Sequence, residues 1–226
     1  MKIVAISDLH GDLPNSLPEG ELLLIAGDTV PLRMQSNFEQ SRKWWLNDFC
    51  NWLKTLKFER IILIGGNHDG FLETHGQEIK ATLIINKCIY LCNEQYTYLS
   101  YDGKTYTFFG TPYCKQFGNW WFMYSQDKLE ELYKDIPKDL DILLSHDAPY
   151  GVSDICYQNT PWNDGSHIGN KALRDAILDK APAYCIHGHL HSSNHDEEIL
   201  GTTKVYNVSL KDERYIMTYK PLTLDI

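Results

Sequence analysis

No stretch of this chain approaches the roughly 20 consecutive apolar residues that a membrane-spanning helix requires, so membrane association is not expected. The apolar run before Asp8 is also too short for the core of a secretory signal. No two cysteines show C-x-x-C spacing. Cys50, Cys88, Cys92, Cys114, Cys156 and Cys185 are scattered. Cys88 and Cys92 have no second Cys or His pair at zinc-site spacing, so the six read as reduced, mostly packed thiols. Basic residues are scarce, with 21 Lys and Arg against 30 Asp and Glu and a net charge of −9. A nucleic-acid binder normally presents a basic face, so tight duplex binding is disfavoured, while a small nucleotide substrate stays open. Repeats, low-complexity tracts and linkers are missing too. Together these absences describe a soluble, cytoplasmic protein whose oligomeric state is open.

What is present is core material and a recurring pattern. Hydrophobic residues make up 43% of the 226 positions, ample material for a buried core, so disorder is not indicated. Aspartate, histidine and asparagine recur just past apolar runs. Asp8-Leu9-His10 follows Lys2 to Ser7, and Gly27-Asp28 follows Glu21 to Ala26. Gly66-Asn67-His68-Asp69 follows Arg60 to Ile64, His146 follows Asp141 to Ser145, and Gly188-His189-Leu190-His191 follows Ala183 to Ile186. Five strand-like runs each deliver a metal-type ligand at the C-terminal end. That is more than one ion needs, and it points to a two-metal hydrolytic centre.

The strand runs are Lys2 to Ser7, Glu21 to Ala26, Arg60 to Gly65, Ile89 to Cys92, Asp141 to Ser145 and Ala183 to His187. Most are continuously apolar, as strands buried on both faces are. Asp102-Gly103 predicts a hairpin between Tyr96 to Tyr101 and Lys104 to Gly110. Thr203 to Ser209 and Arg214 to Tyr219 read as a closing antiparallel pair. A helix is predicted from Asn37 to Lys57, with a capping box from Ser36 and Glu39 and one apolar face from Trp45, Phe49, Trp52, Leu53 and Leu56. Further helices are predicted at Gln126 to Asp135 and Ile168 to Lys180. Interleaved strands and helices imply an α/β sandwich of two packed sheets with helices outside. Because the first ligand follows the first strand and the last lies near the end, residues 1–226 are expected to form one domain.

The order D-x-H, GD, GNHD, H, GHxH resembles the calcineurin-like metallophosphoesterase superfamily, from Asp8 to His191. A narrower likeness, to small metallophosphoesterase-domain phosphodiesterases, rests on Gly110-Thr111-Pro112-Tyr113, on Asn119-Trp120 and on Ser145-His146-Asp147-Ala148-Pro149-Tyr150-Gly151. The resemblance implies a four-layer α-β-β-α sandwich of two mixed sheets flanked by helices. It also implies a phosphoester hydrolase that attacks with hydroxide made on its metals. One ion would take Asp8, His10, Asp28 and His191; the other would take Asp28, Asn67, His146 and His189. Asp28 would bridge the two. Carboxylate, imidazole and amide ligands suit manganese, iron, zinc or nickel better than calcium.

By the same resemblance His68 is the general acid, held near the phosphate without touching metal. An imidazolium of ordinary pKa about 6.5 can protonate a leaving alkoxide. Asp69 either orients His68 or caps the next helix. His187 is expected behind the ligands, and His75, His167 and His195 at the surface. In the serine/threonine phosphatase branch an arginine follows the GD motif and another precedes GNH. Here Thr29-Val30-Pro31-Leu32 and Gly65 stand in those places, with Arg33 a loose substitute. Without arginine forks for a dianionic monoester, a singly charged phosphodiester of cyclic-nucleotide type is favoured. The loop of Trp120, Trp121, Phe122 and Tyr124 either stacks on a base or packs on itself. A phosphomonoesterase, a single-strand nuclease and a non-catalytic scaffold are the rival readings. The complete ligand set and His68 count against the scaffold.

Overall fold

The computed structural model describes residues 1–155 and 165–226, so Cys156 lies outside the described residues. In chain order the strands are β1 (Lys2–Ile6), β2 (Leu22–Ile25), β3 (Arg60–Leu63), β4 (Cys88–Tyr90), β5 (Glu94–Leu99), β6 (Thr105–Thr111), β7 (Cys114–Lys115), β8 (Met123–Tyr124), β9 (Ile142–Ser145), β10 (Tyr184–His187), β11 (Glu198–Leu200), β12 (Thr203–Asn207) and β13 (Leu222–Asp225). The α-helices are α1 (Phe38–Trp44), α2 (Cys50–Thr55), α3 (Gly70–Ile85), α4 (Gln126–Leu132) and α5 (Lys171–Lys180).

Two mixed sheets carry the fold. The first has the order β13-β1-β2-β3-β4, parallel except for β13. The second has the order β11-β12-β10-β9-β6-β5, parallel except for its two edge strands. Strand side chains alternate between faces, and that alternation builds the four layers. Val4, Ile6, Leu23, Ile25, Ile61 and Leu63 face the helices, where they meet Trp44, Trp45, Phe49, Phe71 and Leu83. Their neighbours Ile3, Ala5, Leu22, Leu24 and Ile62 face the other sheet and meet Phe108, Ile142, Leu144 and Ile186. On the far side Phe109, Leu143, Cys185 and Val205 pack under Leu129, Tyr133, Leu173 and Ile177 of the last two helices and their flanks. All four residues of β2 are fully buried. This two-sided burial explains the continuous apolar runs, because a strand with helices on one face and a sheet on the other has no solvent side.

Several boundaries differ from the sequence reading. The long helix begins one residue later, since the side chain of Asn37, not Ser36, accepts the amide of Gln40 (3.1 Å). A π turn at Trp45–Phe49 separates α1 from α2, and the expected tryptophan face is core. α3, the helix expected after Asp69 but given no range from the sequence, contains Gly70 and Gly76, although glycine is a poor helix former. Gly76 is instead a close approach, because a Cβ there would stand 2.7 Å from the Tyr90 ring. The expected closing pair is wrong. β12 lies between β10 and β11, residues 214–219 form a loop, and the strand that closes the first sheet is β13. That loop folds back on Asp212, whose carboxylate accepts the amides of Arg214 (2.9 Å) and Ile216 (3.1 Å). No helix among the described residues is long and apolar enough to cross a membrane.

Candidate metal centre

Parallel strands end together, so the residues just beyond their C-terminal ends collect along one edge of the sheets. Asp8 and His10 lie past β1, Asp28 past β2, Asn67 and His68 past β3, His146 past β9, and His189 and His191 past β10. Asp8, His10, Asp28 and His189 all have left-handed backbones, with φ of 58°, 45°, 51° and 70°. Non-glycine residues rarely take that conformation, and here it turns each chain sharply off its strand end toward a common centre.

The ligand atoms converge there. One group brings Asp8, His10 and His191 within 4.8 Å of one another, and a second brings together Asp8, Asp28 and His146. His191 Nε2 lies 3.2 Å from Asp8 Oδ1 and 3.4 Å from His10 Nε2. His146 Nε2 lies 3.1 Å from Asn67 Oδ1 and 3.4 Å from Asp28 Oδ2. Asp28 Oδ1 is occupied, accepting the backbone N–H of His68 at 2.7 Å. Asp28 Oδ2 faces the centre, 3.9 Å from His10 Nε2, so this carboxylate would be placed to serve both ions. The ring N–H of His146 at Nδ1 donates to Ala26 O (2.7 Å), and that of His191 donates to Asp212 O (3.0 Å). Each bond fixes the ring so that Nε2 faces the centre, free to coordinate a metal once it gives up its proton, as metal-binding imidazoles require.

The local charges agree with this arrangement. Burial works against a charge on His146, but Asp28 and Asp8 outweigh it and push its pKa up to about 10. On His191 burial is likewise overcome by Asp8, giving about 9. Burial holds His10 down to about 3 despite Asp28 and Asp8, and burial with His146 holds His189 down to about 3. Burial alone would raise Asp28, yet His146 and His68 draw it well below the usual carboxylate range. Such a knot of buried acids and imidazoles, in which protons take the place of cations, fits divalent metal.

The glycines of GNHD and GHxH have a steric cause. A Cβ on Gly66 would collide with Asp28 Oδ1, and one on Gly188 with Ser7 Oγ and, at 2.5 Å, with Asp8 Oδ2. Backbone and carboxylate can approach this closely only without a side chain.

His68 is brought to the mouth of the centre, with Nε2 3.9 Å from Asp28 Oδ2. Its Nδ1 is hydrogen-bonded to Gln35 Oε1, and its ring lies 4.9 Å from that of Trp120. Asp69 stands at the N-cap position of α3, but its side chain is used elsewhere. Its carboxylate caps no helix and does not touch His68; it accepts the amides of Thr29, Val30 and Gly66. Of the aromatic loop only Trp120 stands at the site. Trp121 packs over Gly70 and against Phe38, Phe122 is core, and the Tyr124 hydroxyl bonds Glu73 (3.2 Å).

His187 is fully buried beside the ligand loop, and burial holds its pKa down to about 4. His167 is surface-exposed and pairs with Asp154 at 2.5 Å. His75 and His195 are half-buried: His75 stacks on Phe71, while His195 stacks on Tyr219 and donates to His191 O (2.9 Å). Sequence reasoning missed Gln35, Cys114, Phe117 and Tyr215. Cys114 Sγ lies within 4.8 Å of the His146 and His189 ligand nitrogens. The only sequence signal for it was its place just after Gly110-Thr111-Pro112-Tyr113.

The calcineurin-like phosphoesterase family model matches residues 1–193. The chain belongs to that family. Membership makes it a metal-dependent phosphoric ester hydrolase by kind, with the metal identity left open. The chain is 25% identical to human metallophosphoesterase domain-containing protein 1 over 252 residues, covering 100% of this chain and 71% of that protein. It is 27% identical to a UPF0046 protein of Caenorhabditis elegans over 247 residues, covering 100% of this chain and 81% of the relative. A probable rhamnogalacturonate lyase C of Emericella nidulans is 30% identical over 198 residues, but the match spans 84% of this chain and only 17% of the lyase. Among solved structures, the TT1561 protein of Thermus thermophilus shares the fold, with a TM-score of 0.55 at 17% identity over 91% of this chain and 88% of that one.

Proposed function

We propose that the chain hydrolyses phosphodiesters, with His68 as the general acid. Asp8, His10, Asp28 and His191 would hold one divalent ion, and Asp28, Asn67, His146 and His189 a second. The ions would supply positive charge against the phosphoryl oxygens and a water of lowered pKa. The protein's own part is to fix that geometry and to move a proton. The observation that carries this reading is the placement of His68, whose Nε2 faces the shared carboxylate of Asp28 while Gln35 holds the opposite ring nitrogen. From there a proton can be delivered to a leaving oxygen.

The diester preference is supported by the cations around the mouth. Gly65 leaves no fork before Asn67, and Arg33 has an exposed side chain. Lys211 and Arg214 are engaged with Asp12 (2.6 Å) and Asp212 (3.1 Å). A singly charged diester leaves no cationic clamp unpaired here. The five described cysteines are free thiols, which supports a reducing, cytoplasmic setting.

Hydrolysis of bis(4-nitrophenyl) phosphate and of 4-nitrophenyl phosphate, with manganese, iron, zinc and nickel added singly, tests the reading. His68→Ala should lower turnover roughly 10²–10⁴-fold with metal content unchanged, and less for nitrophenolate, which needs no proton. Asp28→Asn should abolish turnover. An equal loss for good and poor leaving groups would remove the acid role. A preference of about ten-fold for the monoester would overturn the diester reading.

A further inference from the structure

Four aromatic side chains among the described residues are exposed: Tyr101, Phe117, Trp120 and Tyr215. Tyr101 has a local role, donating its hydroxyl to Glu59 at 2.7 Å. The other three stand against different histidines of the metal centre. The ring of Phe117 lies 5.4 Å from His189, and that of Trp120 lies 4.9 Å from His68. The ring of Tyr215 lies 4.9 Å from His10 and 5.4 Å from His191, nearly perpendicular to both. Exposed aromatics scattered singly carry no message, but three converging on one polar centre form a patch with a purpose.

Their origins differ, which makes the convergence more telling. Phe117 and Trp120 come from the loop between β7 and β8, and Tyr215 from the loop beyond β12. Tyr215 also has a left-handed backbone, φ 61°, which a bulky residue seldom adopts. The turn at Asp212 holds it there: the Tyr215 amide donates to Asp212 O (2.8 Å), and the Asp212 carboxylate takes the amides on either side. A residue kept in a strained conformation at the mouth of a site is kept there for its side chain.

We propose that Phe117, Trp120 and Tyr215 form a subsite for a planar aromatic group borne by the phosphoester, an aryl ring or a nucleobase. This rests on the phosphoester reading above and deepens it. With the phosphorus at the centre, a ring attached to it extends outward between walls offering both π faces and ring edges. Stacking of that kind tolerates any planar ring and rejects a compact alkyl ester.

The test is calorimetric titration of the 226-residue chain in manganese with phenylphosphonate and methylphosphonate, which share a headgroup and cannot be hydrolysed. Phenylphosphonate should bind about ten-fold more tightly. That advantage should fall toward parity in Trp120→Ala and in Tyr215→Leu, with methylphosphonate affinity unchanged and thermal unfolding confirming that both variants are folded. Equal affinities in the native protein, an advantage surviving in both variants, or no binding of either compound would overturn the subsite. Because binding is read directly, a protein that keeps the phenyl preference but cleaves no phosphoester would uphold the subsite and fail the hydrolase reading.

Discussion

Asp69 is the most consequential residue of the centre that touches no metal position. Its carboxylate is fully buried and ties together two ligand loops. Oδ1 accepts the amides of Thr29 (3.1 Å) and Val30 (2.9 Å), just past Asp28, and Oδ2 accepts that of Gly66 (3.0 Å), just before Asn67. Burial and the charge of Asp28 push its pKa up to about 7, so at pH 8 it is ionised and both oxygens accept. Asp69→Asn can keep the bonds to Thr29 and Val30 through its one oxygen, but its amide NH₂ then confronts the Gly66 N–H. One buried donor left without a partner costs about 1–3 kcal/mol. Asp69→Ala strands all three amides, for at least about 3 kcal/mol, a large share of a typical stability of about 5–15 kcal/mol. Urea unfolding of chelator-treated protein at pH 8 measures both, provided the m-value is unchanged. We expect the order native, then Asn, then Ala. Two variants equal to each other, or both within about 0.5 kcal/mol of native as surface substitutions are, would refute the tying role.

Two further outcomes rest on the electrostatics and on the partner of His68. In metal-free protein His146 and His191 are raised to about 10 and 9, so both carry protons at pH 8 and must lose them to ligate. Metal binding should therefore release between one and two protons, read from binding enthalpies in buffers of different ionisation heat. Apparent affinity should climb with pH until those values are passed, and a release of zero protons would refute the assignment. Gln35→Ala should cost about 10–100-fold in kcat for esters with poor leaving groups, less for nitrophenyl esters, with KM little changed and Gln35→Glu restoring much of the loss. A uniform fall across leaving groups would make Gln35 merely structural.

The candidate ligands stood out as a group because they share a topological cause. Each lies just past a strand, and parallel strands buried on both faces print themselves as apolar runs with an abrupt polar end. Ile3 to Ile6 followed by Asp8, and Ile61 to Ile64 followed by Asn67, are cases of one rule. What could not be read was everything supplied sideways. Gln35 sits in a loop without periodicity and meets His68 only once the chain has folded. Phe117 and Tyr215 lie about a hundred positions apart and converge through the packing of two loops. Arg214 to Tyr219 alternates enough to look like a strand, yet the Asp212 carboxylate competes for its amides and bends it into a turn. Trp121 and Trp120 are indistinguishable in sequence. Only Gly70, which leaves room for the ring of Trp121, decides that one packs inward while the other faces the site.

The carboxylates of the centre have a second occupation that governs how they can be tested. Asp8 receives the amide of His189 (3.1 Å), and Asp28 receives that of His68 (2.7 Å), so each acid proposed to hold metal also fastens a neighbouring loop. Four of the ligand residues hold left-handed backbones, which cost about 1 kcal/mol or more apiece. These cross-links are what keep the strained turns in place before any cation arrives. Replacing either acid by alanine would release a loop as well as remove a ligand, and a lost activity could then mean either. Asparagine keeps an oxygen for the buried amide and removes the charge. In Asp28→Asn the oxygen facing His68 N–H can persist while Oδ2, the atom facing His10 and His146, gives way to nitrogen. An inactive variant of native stability is therefore the result that separates the metal role of Asp28 from its structural one.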